Sequence, residues 1–405
     1  MNPVAFDRVD AYDPGYLVVH DGRIESIGSA DPRPQFPDAE FLDFNGDAIL
    51  PGFVDTHVHL PQFAIMGLGS ESLLDWLDRL TYPEEARFSD PEYARLISES
   101  FFDALLANGT TCASVYCSIH EHATDIAFEA ARSRGIRAFI GKAMMDRHAP
   151  PPLLEDTGEA VDASIRLHEK WDGANGGRLR YVFTPRFAGS CSMELMQRTG
   201  NAAKERNAFI QTHLSENKAE VDWIRSLFPE RSSYTDVYDF AGLLGRRTIV
   251  AHCIHLSNGE IGRLSETETN IAFCPYSNRT LRSGVMPFAR LRDAGLKVGL
   301  GSDVSGGPSL SMFRQMGEAS NSTWMSPRSA LYLATLGGAE ALNVADRTGN
   351  FAPGKDADFV IVDHRRTDPI PGKGAYNSPD HVLSRLCYRA DSDCIRDVYL
   401  TGHRV

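Results

Sequence analysis

Histidines 57 and 59 stand two residues apart in the run FVDTHVHL. On an extended strand alternate side chains share a face, so both imidazoles point the same way. Two imidazoles on one face suit a divalent metal, although a lone pair of this kind also describes two core histidines with satisfied hydrogen bonds. Further runs tip the balance. His213 and Glu216 stand in HLSE, His252 closes TIVAH, and Asp303 sits in GLGSD shortly before Gly306 and Gly307. A catalytic zinc takes a few protein ligands, keeps a position for water and lowers the pKa of that water to about 7. A neighbouring carboxylate then moves protons between the water and the leaving group. Histidines beside a carboxylate therefore predict metal-assisted hydrolysis.

Each of these residues closes a short apolar run. From Ala48 to about Gly349 such runs alternate with longer helical stretches, for example Pro91 to Asn108 and Ala123 to Arg134. The candidate strands are ILPGFVDTHVHL, TTCASVYC, RAFIGKAMM, LRYVFTPRF, FIQTHLSE, TIVAHCIH, NIAFCP and KVGLGSD. Eight strands alternating with helices predict a parallel sheet closed into a (β/α)8 barrel of the TIM type. His57, His59, Arg186, His213, Glu216, His252 and Asp303 fall at the C-terminal ends of five of them. In such a barrel that end faces the active-site mouth. An uncompensated polar cluster in a core would be costly, which favours ligand and acid-base roles over packing.

Both ends of the chain read as β. YLVVHDGRIESI carries a hairpin signal at Asp21-Gly22, and ADFVIVD and VYLTGHRV have the same texture near the C-terminus. We expect a small β-sandwich built from residues 1–50 and 351–405 around a barrel over 51–350. Pro51-Gly52 and Pro353-Gly354 serve as connectors. Lys142 is read as structural. The end of strand four, where a carbamylated lysine bridging two metals would stand, holds Arg186, so one metal is expected. His120, His122 and His255 are read as surface or supporting groups.

The 405 residues are 42% hydrophobic and 23% charged, which is ordinary globular composition and argues against disorder or coiled coil. No run of about 18 apolar residues suggests a membrane span, and the N-terminal MNPVAFDRVDAYDPGY does not resemble a secretory signal. A balance of 41 basic to 54 acidic residues repels phosphate backbones, so nucleic acid is not an expected partner. Seven scattered cysteines without a CxxC pair suggest reduced, buried thiols in a cytoplasmic protein.

Nearly end to end, the motifs resemble the guanine deaminase family of the amidohydrolase superfamily. The resemblance is carried by PGFVDTHVHLPQ, LLDWLDRLTYPEEARF, NGTT, GKAMMD, TPRF, HLSEN, AHCIHL, FCPYSN, GLGSDVSGG and LATLGGAEAL. It implies one zinc per chain, held by His57, His59, His213 and Asp303. It places His252 beside the water and the substrate, makes Glu216 the proton shuttle to a ring nitrogen, and sets Gln62, Arg186, Phe187, His213 and Glu216 against the purine. It implies that Asp303 takes a proton from water while Glu216 protonates N3, so that guanine loses its C2 amine as ammonia and leaves xanthine. A homodimer is expected by the same resemblance. The connection Met316 to Leu331 after strand eight and the N-terminus are both shorter than the family's usual ones.

Three other readings stay open on the sequence. One keeps the chemistry and changes the substrate to another aminated heterocycle, such as a modified guanine, a pterin or a triazine. A second is a non-catalytic scaffold, which the full set of ligands argues against. A third is cyclic-amide hydrolysis, which the missing lysine of strand four argues against.

Overall fold

The computed structural model describes residues 1–69, 73–370 and 376–405. Eight parallel strands form the barrel: β1 (Phe53–His59), β2 (Thr110–Tyr116), β3 (Arg137–Gly141), β4 (Leu179–Pro185), β5 (Phe209–Leu214), β6 (Thr248–His252), β7 (Asn270–Phe273) and β8 (Val298–Leu300). Each pairs in parallel with the next in chain order. Most of their residues are buried on both faces, as expected for strands covered by helices outside and by packed side chains inside. The seam between β8 and β1 is closed by discrete bonds. Thr56 Oγ1 donates to the Leu300 carbonyl at 2.9 Å, and the Asp303 N–H donates to the His57 carbonyl at 2.8 Å.

The connecting helices start where the sequence offers caps. Asp90 accepts the Glu92 N–H ahead of the helix Pro91–Ala107. Asn217 and Glu220 form a reciprocal capping box at the start of the helix Lys218–Leu227, directly after HLSE. That box turns the chain sharply out of β5, and Glu220 accepts the Glu216 N–H at 2.9 Å.

Residues from both chain ends share a second sheet. The strands His403–Arg404, Ile395–Leu400, Phe359–Val362 and Ala48–Pro51 pair antiparallel in that order. The hairpin Tyr16–His20 and Arg23–Gly28 packs on it through Leu17, Val19, Ile24 and Ile27 against Phe359, Ile361 and Tyr399. Two expectations need correction: RAFIGKAMM, read above as one strand, breaks at Lys142, with Ala143–Met144 pairing separately with the end of β4. ILPGFVDTHVHL, read above as a single strand, is two: Ala48–Pro51 belongs to the chain-end sheet, and β1 begins at Phe53. The break falls at Gly52, where any Cβ would collide with the side chain of Thr111. All seven cysteines are buried and unpaired. No helix among the described residues is long and apolar enough to cross a membrane.

Candidate active site and metal centre

The strands end under one cavity, and several end in left-handed backbone. Ser215 after β5 has φ 51°, His252 and Cys253 at the end of β6 have φ 72° and 52°, and Asp303 after β8 has φ 46°. For non-glycine residues such backbone costs on the order of 1–3 kcal/mol each and persists only where packing over-determines it. Here it turns the side chains at the strand ends toward a common point.

Four of those side chains converge. His57 Nε2 lies 3.3 Å and His59 Nε2 3.5 Å from the same oxygen of Asp303. His59 Nε2 is 3.1 Å from His213 Nε2. The ring of His213 is oriented by its Nδ1–H, which donates to the Arg186 carbonyl at 2.7 Å and leaves Nε2 with a bare lone pair in the neutral ring. Burial, and then the neighbouring His57, hold His59 and His213 well below the usual histidine pKa, so both are neutral. Burial also lowers His57, with Asp303 opposing it. For Asp303 burial favours the neutral acid, but His57, His252 and His59 outweigh it and keep the carboxylate ionised.

Three neutral imidazoles and one carboxylate form a donor set suited to a zinc-type cation. The buried His57 Nε2 has no hydrogen-bond partner, and the abutting Nε2 atoms of His59 and His213 repel unless a proton or cation lies between them. Both observations fit a metal. His252 and Cys274 also approach this point. Burial, reinforced by Asp303, pushes the Cys274 thiol well up.

Beside the cluster lies an acid-base pair. His252 Nδ1 donates to Asn278 Oδ1 at 2.9 Å, and its Nε2 is 3.4 Å from Glu216 and 3.8 Å from Asp303. Burial pushes Glu216 up to about 7, with the adjacent His252 opposing the shift. Burial works against the His252 charge as well, but Glu216 and Asp303 outweigh it and raise its pKa. Ser283 Oγ donates to the second oxygen of Glu216 at 3.1 Å. His255 steadies that loop by donating from Nε2 to the Ser283 carbonyl at 2.9 Å.

Gln62, Arg186 and Phe187 form the facing wall, and Leu73, Trp76 and Leu77 give it an apolar side. Arg186 is buried and ion-paired with Glu85, with the ring of Tyr82 5.4 Å from its guanidinium carbon. Of the residues proposed for the site from the sequence, all but His57 line this cavity, and His57 lies against Asp303 behind them. Of the histidines read as surface or supporting groups, His255 braces the Ser283 loop, whereas His120 and His122 lie elsewhere and stack on each other at 5.7 Å. Lys142 is fully buried and pairs with Glu155 at 2.5 Å.

The sequence reading missed the residues that hold the others in place. Glu85, Asn278, Ser283 and Tyr238, whose hydroxyl donates to the His213 carbonyl at 2.7 Å, had no role assigned. Glu85 and Asn278 lie inside the quoted runs LTYPEEARF and FCPYSN, so membership of those runs was the available signal.

Residues 48–405 match the amidohydrolase family. The guanine deaminase of Escherichia coli (strain K12) is 42% identical over 361 residues, covering 87% of this chain and 82% of that protein. The chain belongs to the guanine deaminase family of the amidohydrolases. The solved E. coli guanine deaminase superposes with a TM-score of 0.92 at 39% identity, covering 96% of this chain and 92% of the other. The guanine deaminase from C. acetobutylicum, solved with guanine bound in its active site, gives 0.91 at 32% identity, with 96% and 94% covered. An adenosine deaminase from Xanthomonas campestris with bound zinc gives 0.84 at 25% identity, with 96% and 87% covered. Membership of the family makes this chain an enzyme, and the approach of His57, His59, His213 and Asp303 fits a metal cofactor.

Proposed function

We propose that this chain is a hydrolytic guanine deaminase that converts guanine and water to xanthine and ammonia, with one zinc ion per chain. The observation that carries the reading is a single cavity holding a metal-type donor set, a carboxyl group with a pKa of about 7, and an arginine beside a glutamine. In a family of guanine deaminases, that combination matches a purine with a carbonyl at C6 and an amine at C2.

Zinc would be held by His57, His59, His213 and Asp303, and when bound it makes a water molecule acidic enough to attack near neutral pH. Arg186 donates to the purine O6, and Phe187 lies against the base plane. Asp303 accepts a proton from the attacking water. Glu216, able to exchange protons near neutrality, protonates N3 as water adds at C2; the proton held by Asp303 then passes to the departing amine as the C2–N bond breaks, and Glu216 takes the C2 hydroxyl proton as the carbonyl forms, which restores both groups. His252, its ring fixed by Asn278 and its pKa raised by Glu216 and Asp303, donates a hydrogen bond from Nε2 and orients the water. Adenine has no amine at C2 and offers a donor where Arg186 needs an acceptor, so it is not a substrate. Family likeness and the buried, unpaired cysteines support a cytoplasmic homodimer as part of this proposal.

The test is ammonia release and the ultraviolet change from guanine to xanthine, run beside a panel of aminated purines, pterins and triazines. Turnover of a pterin or triazine with guanine untouched would keep the hydrolytic chemistry and overturn the substrate.

A further inference from the structure

Glu85 lies on the short helix Tyr82–Ala86, outside the lining of the cavity, and is 1% exposed. An ionised carboxylate can only accept hydrogen bonds. One oxygen of Glu85 pairs with Arg186 Nη1, and the other accepts from Gln62 Nε2 at 3.0 Å. Two of the three residues on the purine-facing wall therefore depend on one buried anion.

The consequence for Gln62 is directional. Glu85 demands a donor, so the amide NH2 turns to it and the carbonyl oxygen turns the other way. That oxygen accepts the Ser305 N–H at 3.2 Å and has a second lone pair free for a ligand N–H. The consequence for Arg186 is electrostatic. Its guanidinium keeps further N–H donors for the cavity, while its charge is compensated by Glu85. The wall thus presents an acceptor and a donor with no net charge. A neutral lactam, with N–H next to C=O, is complementary to it. A purine anion gains nothing from an arginine that is already paired, and it lies near a buried carboxylate.

Resting on the guanine deaminase reading, we propose that Glu85 is the specificity-determining positioning residue of this pocket: it fixes Gln62 as an acceptor and Arg186 as a charge-compensated donor, so that the site takes neutral lactam purines and disfavours purine anions. Because xanthine is more acidic than guanine, the same device favours departure of the product.

The experiment uses two ligands that lack the C2 amine, hypoxanthine and xanthine, at a mildly alkaline pH where xanthine is an anion and hypoxanthine is neutral. Inhibition constants for both are measured on the metal-loaded wild type and on Glu85→Gln, Glu85→Asp and Arg186→Ala. The quantity read is the ratio of the two constants within each protein, which cancels any loss of active fraction. Glu85→Gln is expected to move the ratio about tenfold toward xanthine, a shift of about 1.4 kcal/mol. Arg186→Ala should move it away from xanthine, and Glu85→Asp, which keeps the charge, should hold the wild-type ratio. An unchanged ratio in Glu85→Gln, or a shift toward xanthine in Arg186→Ala, overturns the proposal. If Glu85→Gln does not fold, Arg186→Ala alone decides it. Failure of the underlying reading shows separately, as wild type that releases no ammonia from guanine; the ratios are then taken from direct calorimetric binding of the same two ligands.

Discussion

At the scale of single residues, the proposed function divides groups that would hold a metal from groups that would move protons or contact the base. His57 offers an orphaned Nε2 to the donor cluster, whereas Glu216 bonds to Ser283 and faces His252. His57→Ala should lose metal and activity together. Glu216→Gln should keep its metal and lose roughly a hundredfold or more in kcat. Metal analysis beside the guanine assay separates the two outcomes, and metal loss in Glu216→Gln would place that carboxylate among the ligands. Arg186→Ala should cost about tenfold to a hundredfold in kcat/KM with metal retained. The structure adds a stability effect that the sequence did not suggest. Removing Arg186 strands Glu85, a buried carboxylate, and breaking a buried pair in this way costs about 3–5 kcal/mol. A urea titration should show that loss, and Arg186→Ala/Glu85→Ala should recover part of it.

Among the elements, the junction at Pro51-Gly52 decides which sheet each run joins. The strand before it pairs with Phe359–Val362, and β1 after it pairs with β2. The chain crosses from one sheet to the other against Thr111, whose Cβ would lie 2.7 Å from a Cβ at position 52. Gly52→Ala is therefore expected to destabilise by about 1–3 kcal/mol through overpacking. Thr111→Ala in the same protein should relieve most of the loss, measured as urea midpoints of the two single variants and the double variant. Additive losses with no rescue would mean that the backbone at Gly52, and not the side chain of Thr111, sets the constraint.

For the molecule as a whole, the barrel is tied to its chain-end sheet by charge at the end opposite the cavity. Asp356 is buried and receives Arg137 at 2.5 Å, Arg347 at 3.3 Å, and Arg23 and Arg178 at 3.5 Å. Arg178 also pairs with Asp358 at 2.9 Å. Arg137 begins β3 and Arg178 precedes β4, so this anchor lies at the N-terminal rim of the barrel. Asp356→Ala leaves the buried Arg137 without its carboxylate and should cost about 3–5 kcal/mol of stability. Below its unfolding transition the variant should keep wild-type kcat/KM, since the site sits at the other rim. A fall in kcat/KM of the folded variant would show that the two rims are coupled.

The sequence by itself determined which residues could hold a metal and which strands carry them. HxH on one strand, HLSE, TIVAH and GLGSD each place a polar group after an apolar run, and the period of the strands and the order of the barrel are local properties of the chain. Tertiary structure decided what sets those groups in their working state. Glu85 reaches Gln62 across 23 positions and Arg186 across 101, and Asn278 meets His252 across 26. Such partners share no spacing or periodicity that a linear reading can detect. The pKa of about 7 at Glu216 and the ionised state of Asp303 follow from burial and from neighbours brought in by other strands. The split at Gly52 was equally hidden, because an unbroken apolar run reads as one strand until the position of Thr111 is known.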